Sequence, residues 1–475
     1  MIFLKILYAA SEASPFIKVG GLGDVAGSLP KALCDKGEDA RVIIPLYSAI
    51  RAELRENLTF ITNFEITLGW RKSYCGIFTT TVNGVIYYFI DNERYFNRGK
   101  IYGEFDDAER FAFFSKAVVD VLPYIDFYPD VINANDWHTA LVPVYLNLQY
   151  RHIPEYQNIR TVFSIHNIEF QGKYGPEILE KVFGISSYHT GLMYYGECIN
   201  LMKAAIECCD KIVTVSKTYA QEILNPYFAF GLDSILRDRQ YKLCGIVNGI
   251  DTDTFNPETD KYLYKNYSFK TRNFKFLNKK GLQEEMGLPI RSDVPFIGMV
   301  TRLTSQKGLD LFRPIMHELL AKDVQFIVLG SGDSGYEEFM RHFEYKYHDK
   351  MRAYIGFNPE VASKIYGSCD MFLMPSKSEP CGLAQMIALR YGTIPIVNAV
   401  GGLRDTVIPY NPIDKSGNGI NFQTYNSYDM LDAINRALDI YYNKDDFAAI
   451  KKNAMSGDYS WSKAVLEYMA VYHNL

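Results

Sequence analysis

A short apolar strand, a glycine-rich loop and a helix follow one another repeatedly in this chain, and that recurrence restricts the fold more than any other feature. Lys5 to Ser11 reads as a first strand, followed by Lys18-Val19-Gly20-Gly21-Leu22-Gly23. A helical stretch then runs from about Asp24 to Asp35, which Pro30 is expected to kink or shorten. Val294 to Val300 leads into Thr301-Arg302-Leu303-Thr304-Ser305-Gln306-Lys307-Gly308 and a helix near Leu309. Gln325 to Leu329 leads into Gly330-Ser331-Gly332-Asp333. Asp370 to Pro375 is a buried strand ended by proline, and a helix is expected from Leu383 to Tyr391. Strand, glycine loop and helix form the phosphate-binding arrangement of doubly wound α/β sheets. None of these loops is read as a dinucleotide fingerprint or a P-loop. Their cations, Lys18, Arg302 and Lys307, point to an anionic ligand.

Glu379-Pro380-Cys381-Gly382-Leu383 adds a carboxylate at such a helix N-terminus. Free backbone N–H groups near Gly382 and Leu383 favour an anion, and Glu379 beside them fits a phosphorylated ligand with hydroxyls to grip. The alternative is an acidic residue that merely complements the helix dipole.

With 475 residues, the chain has room for two or three domains. Further strands are expected at Ala40 to Ile44, Ile86 to Ile90, Val131 to Asn133, Thr161 to Ile165 and Lys211 to Val215. After Pro257 comes a polar, aromatic, basic stretch, Thr259 to Lys280, without clear periodicity. The boundary is placed at Gly245: one doubly wound lobe over 1–245, a second over 246–456, and a terminal amphipathic helix within 457–475. The net charge of −5 disfavours non-specific binding of nucleic acid or anionic membrane, so an anionic ligand needs local cations. No apolar run reaches the length of about 20 residues that spans a membrane. The start, with Lys5 inside it and Glu12 close behind, reads as a strand rather than a signal peptide. The eight cysteines show no metal or redox spacing and are expected as free thiols in a reducing cytoplasm. Cys381 reads as a small buried thiol. No signal for an oligomeric state is present.

Taken together, Ser11 to Phe16 with Lys18 to Leu22, Asn135-Asp136-Trp137-His138, Ser164 to Ile168, Ile246 to Asp251, Arg302 to Lys307, Glu379 to Leu383 and Gly401 to Val407 resemble the bacterial glycogen synthases and plant starch synthases, in that family's order. The resemblance covers essentially the whole chain. It implies a B-type glycosyltransferase fold, two Rossmann-like lobes facing each other across a cleft, with the terminal helix crossing back onto the first. It implies a retaining transfer of glucose from ADP-glucose onto an α-1,4-glucan. It places Arg302 and Lys307 on the donor's diphosphate, assisted by the backbone near Cys381, Gly382 and Leu383. Lys18, Gly20 and Gly21 approach from the first lobe, so the site is complete only on closure. Glu379 orients the glucose ring; His166 and Asp136 lie near it; Asn248 reaches the site from the turn after the first lobe. Read alone, Asn248 supplies a turn, and His166 and Asp136 are structural residues after strands. Trp137 is either core or a sugar-stacking platform.

Retaining hydrolases pair two carboxyls about 5 Å apart. No such pair is legible here, and Ile387 stands where the broader group often has a second glutamate. A front-face substitution is therefore expected, in which the leaving phosphate takes the proton of the acceptor 4-hydroxyl. No D-x-D motif is read as a diphosphate–metal site, so no metal or other cofactor is expected and arginine and lysine take the place of Mg²⁺. Ala384 stands where some members have threonine. Asn398-Ala399-Val400 stands where many have arginine and threonine, which leaves the nucleotide of the donor, ADP or UDP, open. Two other classes compete. Phosphorolysis on a similar two-lobe fold needs a lysine-bound pyridoxal phosphate, for which no block is found. A glucan-binding protein without chemistry is opposed by the intact set Lys18, Asp136, His166, Arg302, Lys307 and Glu379.

Overall fold

The computed structural model describes residues 3–475, which divide into two compact units. Unit 1 runs to Asn248 and takes in Trp461–Leu475; unit 2 is Gly249–Ser460. The division falls slightly beyond the Gly245 expected from sequence. Ile246 still donates its N–H to Thr214 at 2.9 Å, which keeps the chain on the first sheet. At the other end, residues 457–460 stay with unit 2, where Ile250 donates to the Tyr459 carbonyl at 2.8 Å.

In chain order, unit 1 holds β1 (Lys5–Ala9), β2 (Asp39–Pro45), β3 (Thr59–Leu68), β4 (Arg71–Val82), β5 (Val85–Asp91), β6 (Val131–Asn135) and β7 (Arg160–Ile165). The short β8 (Lys173–Tyr174), β9 (Tyr194–Tyr195) and β10 (Cys198–Asn200) come next, then β11 (Lys211–Thr214) and β12 (Leu243–Gly245). A nine-stranded sheet has the order β12-β11-β7-β6-β1-β2-β5-β4-β3. It is parallel from β12 to β5, with β4 and β3 added as an antiparallel hairpin. Unit 2 holds β13 (Phe296–Val300), β14 (Gln325–Gly330), β15 (Met351–Ile355), β16 (Met371–Met374), β17 (Ile394–Asn398) and β18 (Ile420–Phe422). Its six-stranded sheet is ordered β15-β14-β13-β16-β17-β18.

The central strands of both sheets are buried on both faces, which is why they read as near-continuous apolar runs. In each sheet the chain first winds outward on one side of the opening strand, then returns and winds outward on the other. The reversal falls between β1 and β6 in unit 1 and between β13 and β16 in unit 2. Helices must then start on opposite faces of neighbouring strands, which leaves a crevice beyond the strand ends where ligands bind.

Three local expectations are corrected. The helix Gly21–Asp35 continues past Pro30 and is not shortened there, because one missing N–H bond costs less than leaving the face of Leu22, Val25, Ala26, Leu29 and Leu33 unburied. After Lys307 the chain makes only 3₁₀ turns, up to Leu309–Phe312, before the helix Met316–Ala321. Gly330 to Gly335 does spell G-x-G-x-x-G and opens the helix Ser334–Lys346, against the sequence reading. Its first glycines serve backbone packing: a Cβ at Gly330 would stand 1.8 Å from the Thr301 carbonyl, and one at Gly332 2.4 Å from that of Leu303.

The terminal helix Trp461–His473 belongs to unit 1, where Tyr472 Oη donates to Asn133 Oδ1 at 3.1 Å and His473 Nε2 lies 2.8 Å from Glu38. None of the eight cysteines is bridged, and Cys381 is buried. Among the described residues no helix is long and apolar enough to cross a membrane.

Candidate active site

In unit 2 the crevice between β13 and β16 collects the charged residues singled out from sequence. Lys307, in the turn after β13, donates from Nζ to Glu379 Oε2 at 2.6 Å. Ser376, just after β16, donates its hydroxyl to the same oxygen at 2.9 Å. Glu379 is 8% exposed, so its charge is withdrawn from bulk water and held by this one cation. Among the described residues Arg302, which is exposed, reaches only Gln306 Oε1, at 3.3 Å, so its guanidinium keeps most of its donors available.

The Glu379 loop is fixed by backbone packing. A Cβ at Gly401 would stand 2.1 Å from the Glu379 carbonyl, and one at Gly402 2.1 Å from that of Cys381. The N–H of Gly402 donates to Glu379 O at 3.1 Å. Gln385, fully buried, donates to the carbonyls of Cys381 at 3.0 Å and Gly382 at 2.9 Å. Asn398 donates to Ser376 O at 2.9 Å, so this departure from the family pattern braces the loop that carries Glu379. Gly382 adopts φ +70, and Leu383 caps the helix Ala384–Arg390.

In unit 1 the corresponding crevice lies between β1 and β6. Asp136 follows β6 with φ +55 and ψ −178, a region that costs a non-glycine residue on the order of 1–3 kcal/mol. Its Oδ1 accepts from the N–H of His166 at 2.8 Å and of Asn167 at 3.4 Å. Burial nevertheless pushes its carboxyl up to about 7. His166 Nε2 lies 2.8 Å from Asn135 Oδ1. The Asn135 amide nitrogen donates to the carbonyls of Ala9 and Asn133, which leaves Oδ1 to accept and assigns the proton to Nε2 of His166. Burial lowers His166 to about 4, so the ring is neutral near pH 7 with Nδ1 as its acceptor.

The glycine loop of unit 1 differs from expectation. Glu12 accepts from the N–H groups of Val19 and Gly20, so an internal carboxylate occupies the donors that the sequence reading assigned to a bound anion. Burial raises Glu12 to about 7, and it also acts electrostatically on Asp136. Lys18 is half exposed and paired with Asp24 at 2.7 Å; Gly20 and Gly21 form the start of the helix. Asn248, the last residue of unit 1, is buried with no partner for Oδ1. Trp137 resolves as core, packed 4.2 Å from the ring of His138 and 5.3 Å from that of Phe111.

The structure thus joins Lys307 with Glu379 and Asp136 with His166, while Arg302 and Lys18 stand apart with partners of their own. Sequence reasoning missed Glu12, Asn135 and Ser376 as individual residues, although each adjoins or lies within a quoted block. Asp251-Thr252-Asp253 spells D-x-D but serves a local turn. Asp251 closes a turn there, accepting from the N–H groups of Asp253 at 2.9 Å and Thr254 at 3.0 Å. Among the described residues no group of three or more His, Cys, Asp or Glu could hold a metal ion.

Asp136 gives a pH-dependent prediction. Its folded value of about 7 lies above the unfolded value of about 3.9, so the native state keeps a proton that the unfolded chain releases. Its contribution to stability therefore falls as pH rises from about 4 to about 7 and is constant above that. Asp136→Asn removes this penalty. Its gain in unfolding free energy is expected to be larger at pH 8 than at pH 5, by on the order of 2 kcal/mol in urea titrations. Equal gains at the two pH values would contradict a carboxyl held protonated by burial.

Comparison with known proteins decides the family. Residues 5–238 match the starch synthase catalytic domain, and residues 283–455 match the glycosyl transferases group 1. A glycogen synthase of Clostridium botulinum is 50% identical over 475 residues, covering 99% of each chain. The chain belongs to the glycogen and starch synthase family. A glycogen synthase of Geobacillus stearothermophilus is 49% identical over 99% of this chain and 98% of its own. The catalytic domain of starch synthase IV from Arabidopsis thaliana, solved with ADP and acarbose, superposes with a TM-score of 0.91 at 33% identity, covering 100% of this chain and 99% of that one. The fold is accordingly the B-type glycosyltransferase fold of that family, and the protein is a glycosyltransferase of the glycogen and starch synthase type.

Proposed function

We propose that the protein elongates an α-1,4-glucan by transferring glucose from ADP-glucose, with release of ADP and retention of the anomeric configuration. The observation that carries this reading is the Lys307–Glu379 pair at the unit 2 switch point, a cation and a carboxylate 2.6 Å apart in the crevice. The Arabidopsis relative's complex with ADP supports adenine as the donor base. In the reaction the bond from glucose C1 to the diphosphate breaks and a bond from C1 to the acceptor 4-oxygen forms on the same face. The acceptor proton passes to the departing phosphate oxygen. Arg302 and Lys307 stabilise the charge that grows there, with the backbone near Cys381, Gly382 and Leu383 as further donors. Glu379 holds glucose hydroxyls. Asp136 and neutral His166 serve the glucose from unit 1, Lys18 with Gly20 and Gly21 the phosphate end once Asp24 and Glu12 yield their partners, and Asn248 completes that set. Acceptor and nucleotide sugar are the only partners this reading requires. Unbridged cysteines accord with a reducing, cytoplasmic setting.

Because arginine and lysine supply the positive charge, the reading has no role for a metal. Glucose incorporation into glycogen is expected to be faster from ADP-glucose than from UDP-glucose and to persist in excess EDTA. Loss of activity in chelator that Mg²⁺ or Mn²⁺ restores would refute the metal-free mechanism, and preference for UDP-glucose would replace the donor.

A further inference from the structure

We infer that Glu12 is an internal competitor of the donor's diphosphate: its carboxylate holds the backbone donors of the loop from Lys18 to Gly21 and must release them before that loop binds phosphate. The inference rests on the reading above, in which this loop serves the phosphate end, and adds to it a residue that sets how tightly the donor is held. Glu12 stands just beyond β1. The chain then turns tightly, with the N–H of Ile17 donating to the Ala13 carbonyl at 3.0 Å and that of Ser14 to the Gly23 carbonyl at 2.9 Å. The turn brings Val19 and Gly20 against Glu12. Val19 donates its N–H to Oε2, and Gly20 donates to Oε1 at 3.2 Å and to Oε2 at 3.3 Å. The loop is exposed, yet Glu12 is only 2% exposed. Among the described residues no cation pairs with it, and Lys18, the loop's own, is bonded to Asp24 at 2.7 Å. A buried carboxylate held by amides alone is a costly brace, and it uses the N–H groups that a bound anion needs.

The two glycines point to a second arrangement of the loop. Gly20 has φ −143 and ψ −163, which any residue adopts, and Gly21 opens the helix Gly21–Asp35 without a positive φ. A Cβ at Gly20 would lie 3.7 Å from Glu12 Oε1, an ordinary contact, and one at Gly21 would meet nothing within 4 Å. Gly27 of the same helix differs, since a Cβ there would stand 2.6 Å from the Ser14 carbonyl. Neither backbone angle nor space therefore requires glycine at 20 and 21 while Glu12 holds the loop. Their freedom serves a state in which the amides turn away from Glu12 and a phosphate approaches the backbone.

The surroundings of Glu12 make this competition depend on pH. Asp24 on the same helix and Asp136 after β6 act on it as negative charges. Tyr47 after β2 and Tyr102 before the helix Asp107–Asp120 also interact with it, as phenols that burial keeps neutral. Arg110, which acts on Tyr47, is bonded to Asp107 at 2.8 Å. Burial, opposed by the amides of Val19, Gly20 and Gly23, raises the Glu12 carboxyl to about 7. Ionised, Glu12 attracts the loop amides and repels a diphosphate; protonated, it does both more weakly. At pH 8 about one molecule in ten carries the proton, and a ligand that binds only that fraction loses about tenfold in apparent affinity.

Calorimetric titration of the full-length protein with ADP, without acceptor, at pH 6 and pH 8 tests the competition. Glu12→Gln keeps the size and one acceptor oxygen but removes the charge. Its affinity for ADP is expected to exceed the parent's by up to about tenfold at pH 8 and by less than about twofold at pH 6. Glu12→Ala frees the same amides with no substitute and is expected to act in the same direction. The ionisation of ADP is common to every protein and cancels in the ratio. Asp136 titrates in the same range, so the ratio is also measured in the Asp136→Asn background, where its rise with pH is expected to persist. A glutamate that only braced the loop would give weaker ADP binding in both variants at both pH values. That outcome, or affinities equal to the parent's, overturns the inference and leaves the donor reading intact. ADP binding by none of the proteins overturns the donor reading and the inference with it.

Discussion

Arg302→Ala is expected to lose on the order of 10²–10³ in kcat with the fold intact, and Lys307→Ala at least as much. The two cations sit in one loop, but their structural settings differ. Arg302 is exposed and, among the described residues, bonded only to Gln306, so its removal costs little stability and the kinetic loss is read cleanly. Lys307 is the cation that compensates Glu379, a carboxylate with 8% exposure. Removing it leaves a buried charge with only the Ser376 hydroxyl as a side-chain donor, at 2.9 Å. Breaking a buried pair costs about 3–5 kcal/mol, so Lys307→Ala is expected to lower the unfolding midpoint as well. The double variant Lys307→Ala with Glu379→Gln, which also removes the orphaned charge, should recover much of that stability and none of the activity. Stopped assays with ADP-glucose, beside thermal unfolding of each variant, separate the two effects. Near-parental kcat in both single variants would move the diphosphate site away from this loop.

The doubly wound pattern was legible because central parallel strands are apolar on both faces and end in glycine loops, as at β13, β14 and β16. The hairpin of β3 and β4 was not read, since its exposed faces mix aromatic and polar residues. Its exit carried a signal, Asn83-Gly84, with φ +50 and +81 before β5. The stretch after Thr259 seemed aperiodic for a different reason. The helix Lys275–Glu285 buries Lys275, Asn278, Lys279 and Gln283, so its inner face looks like a surface. Lys275 Nζ is surrounded by the carbonyls of Tyr366, Gly367 and Tyr391 and the Thr393 hydroxyl, at 2.6–3.1 Å. Such a polar anchor has no apolar period to detect. In the candidate site, Lys307 and Glu379 could be picked out by loop position. Their direct pairing and the supporting roles of Asn398 and Gln385 could not, because they depend on contacts made only when β16 and β17 lie side by side. Gly330, Gly332, Gly401 and Gly402 have a second reason to be glycine that sequence could not show: another backbone passes against each of them.

Glu379→Gln is the variant expected to separate orientation from nucleophilic attack. The glutamine keeps the shape and can still accept from Ser376, but it loses the charge that attracts Lys307 and holds sugar hydroxyls. Hydrogen bonds to an ionised group are about twice as strong as neutral ones, and this one gains most as the glucose ring becomes cationic in the transition state. A large fall in kcat with a smaller change in donor KM is therefore expected. The substitution also frees Lys307 from its internal partner. In the parent, Glu379 Oε2, at 2.6 Å, partly neutralises the lysine and repels an incoming diphosphate, a cost that the variant does not bear. Affinity for ADP alone is accordingly expected to hold or to rise in Glu379→Gln, even as turnover collapses. Calorimetric titration with ADP and steady-state assays of the same preparation provide both halves of that comparison. A covalent glucosyl adduct on Glu379, trapped and located by mass spectrometry, would make the residue a nucleophile. The front-face mechanism would then give way to double displacement.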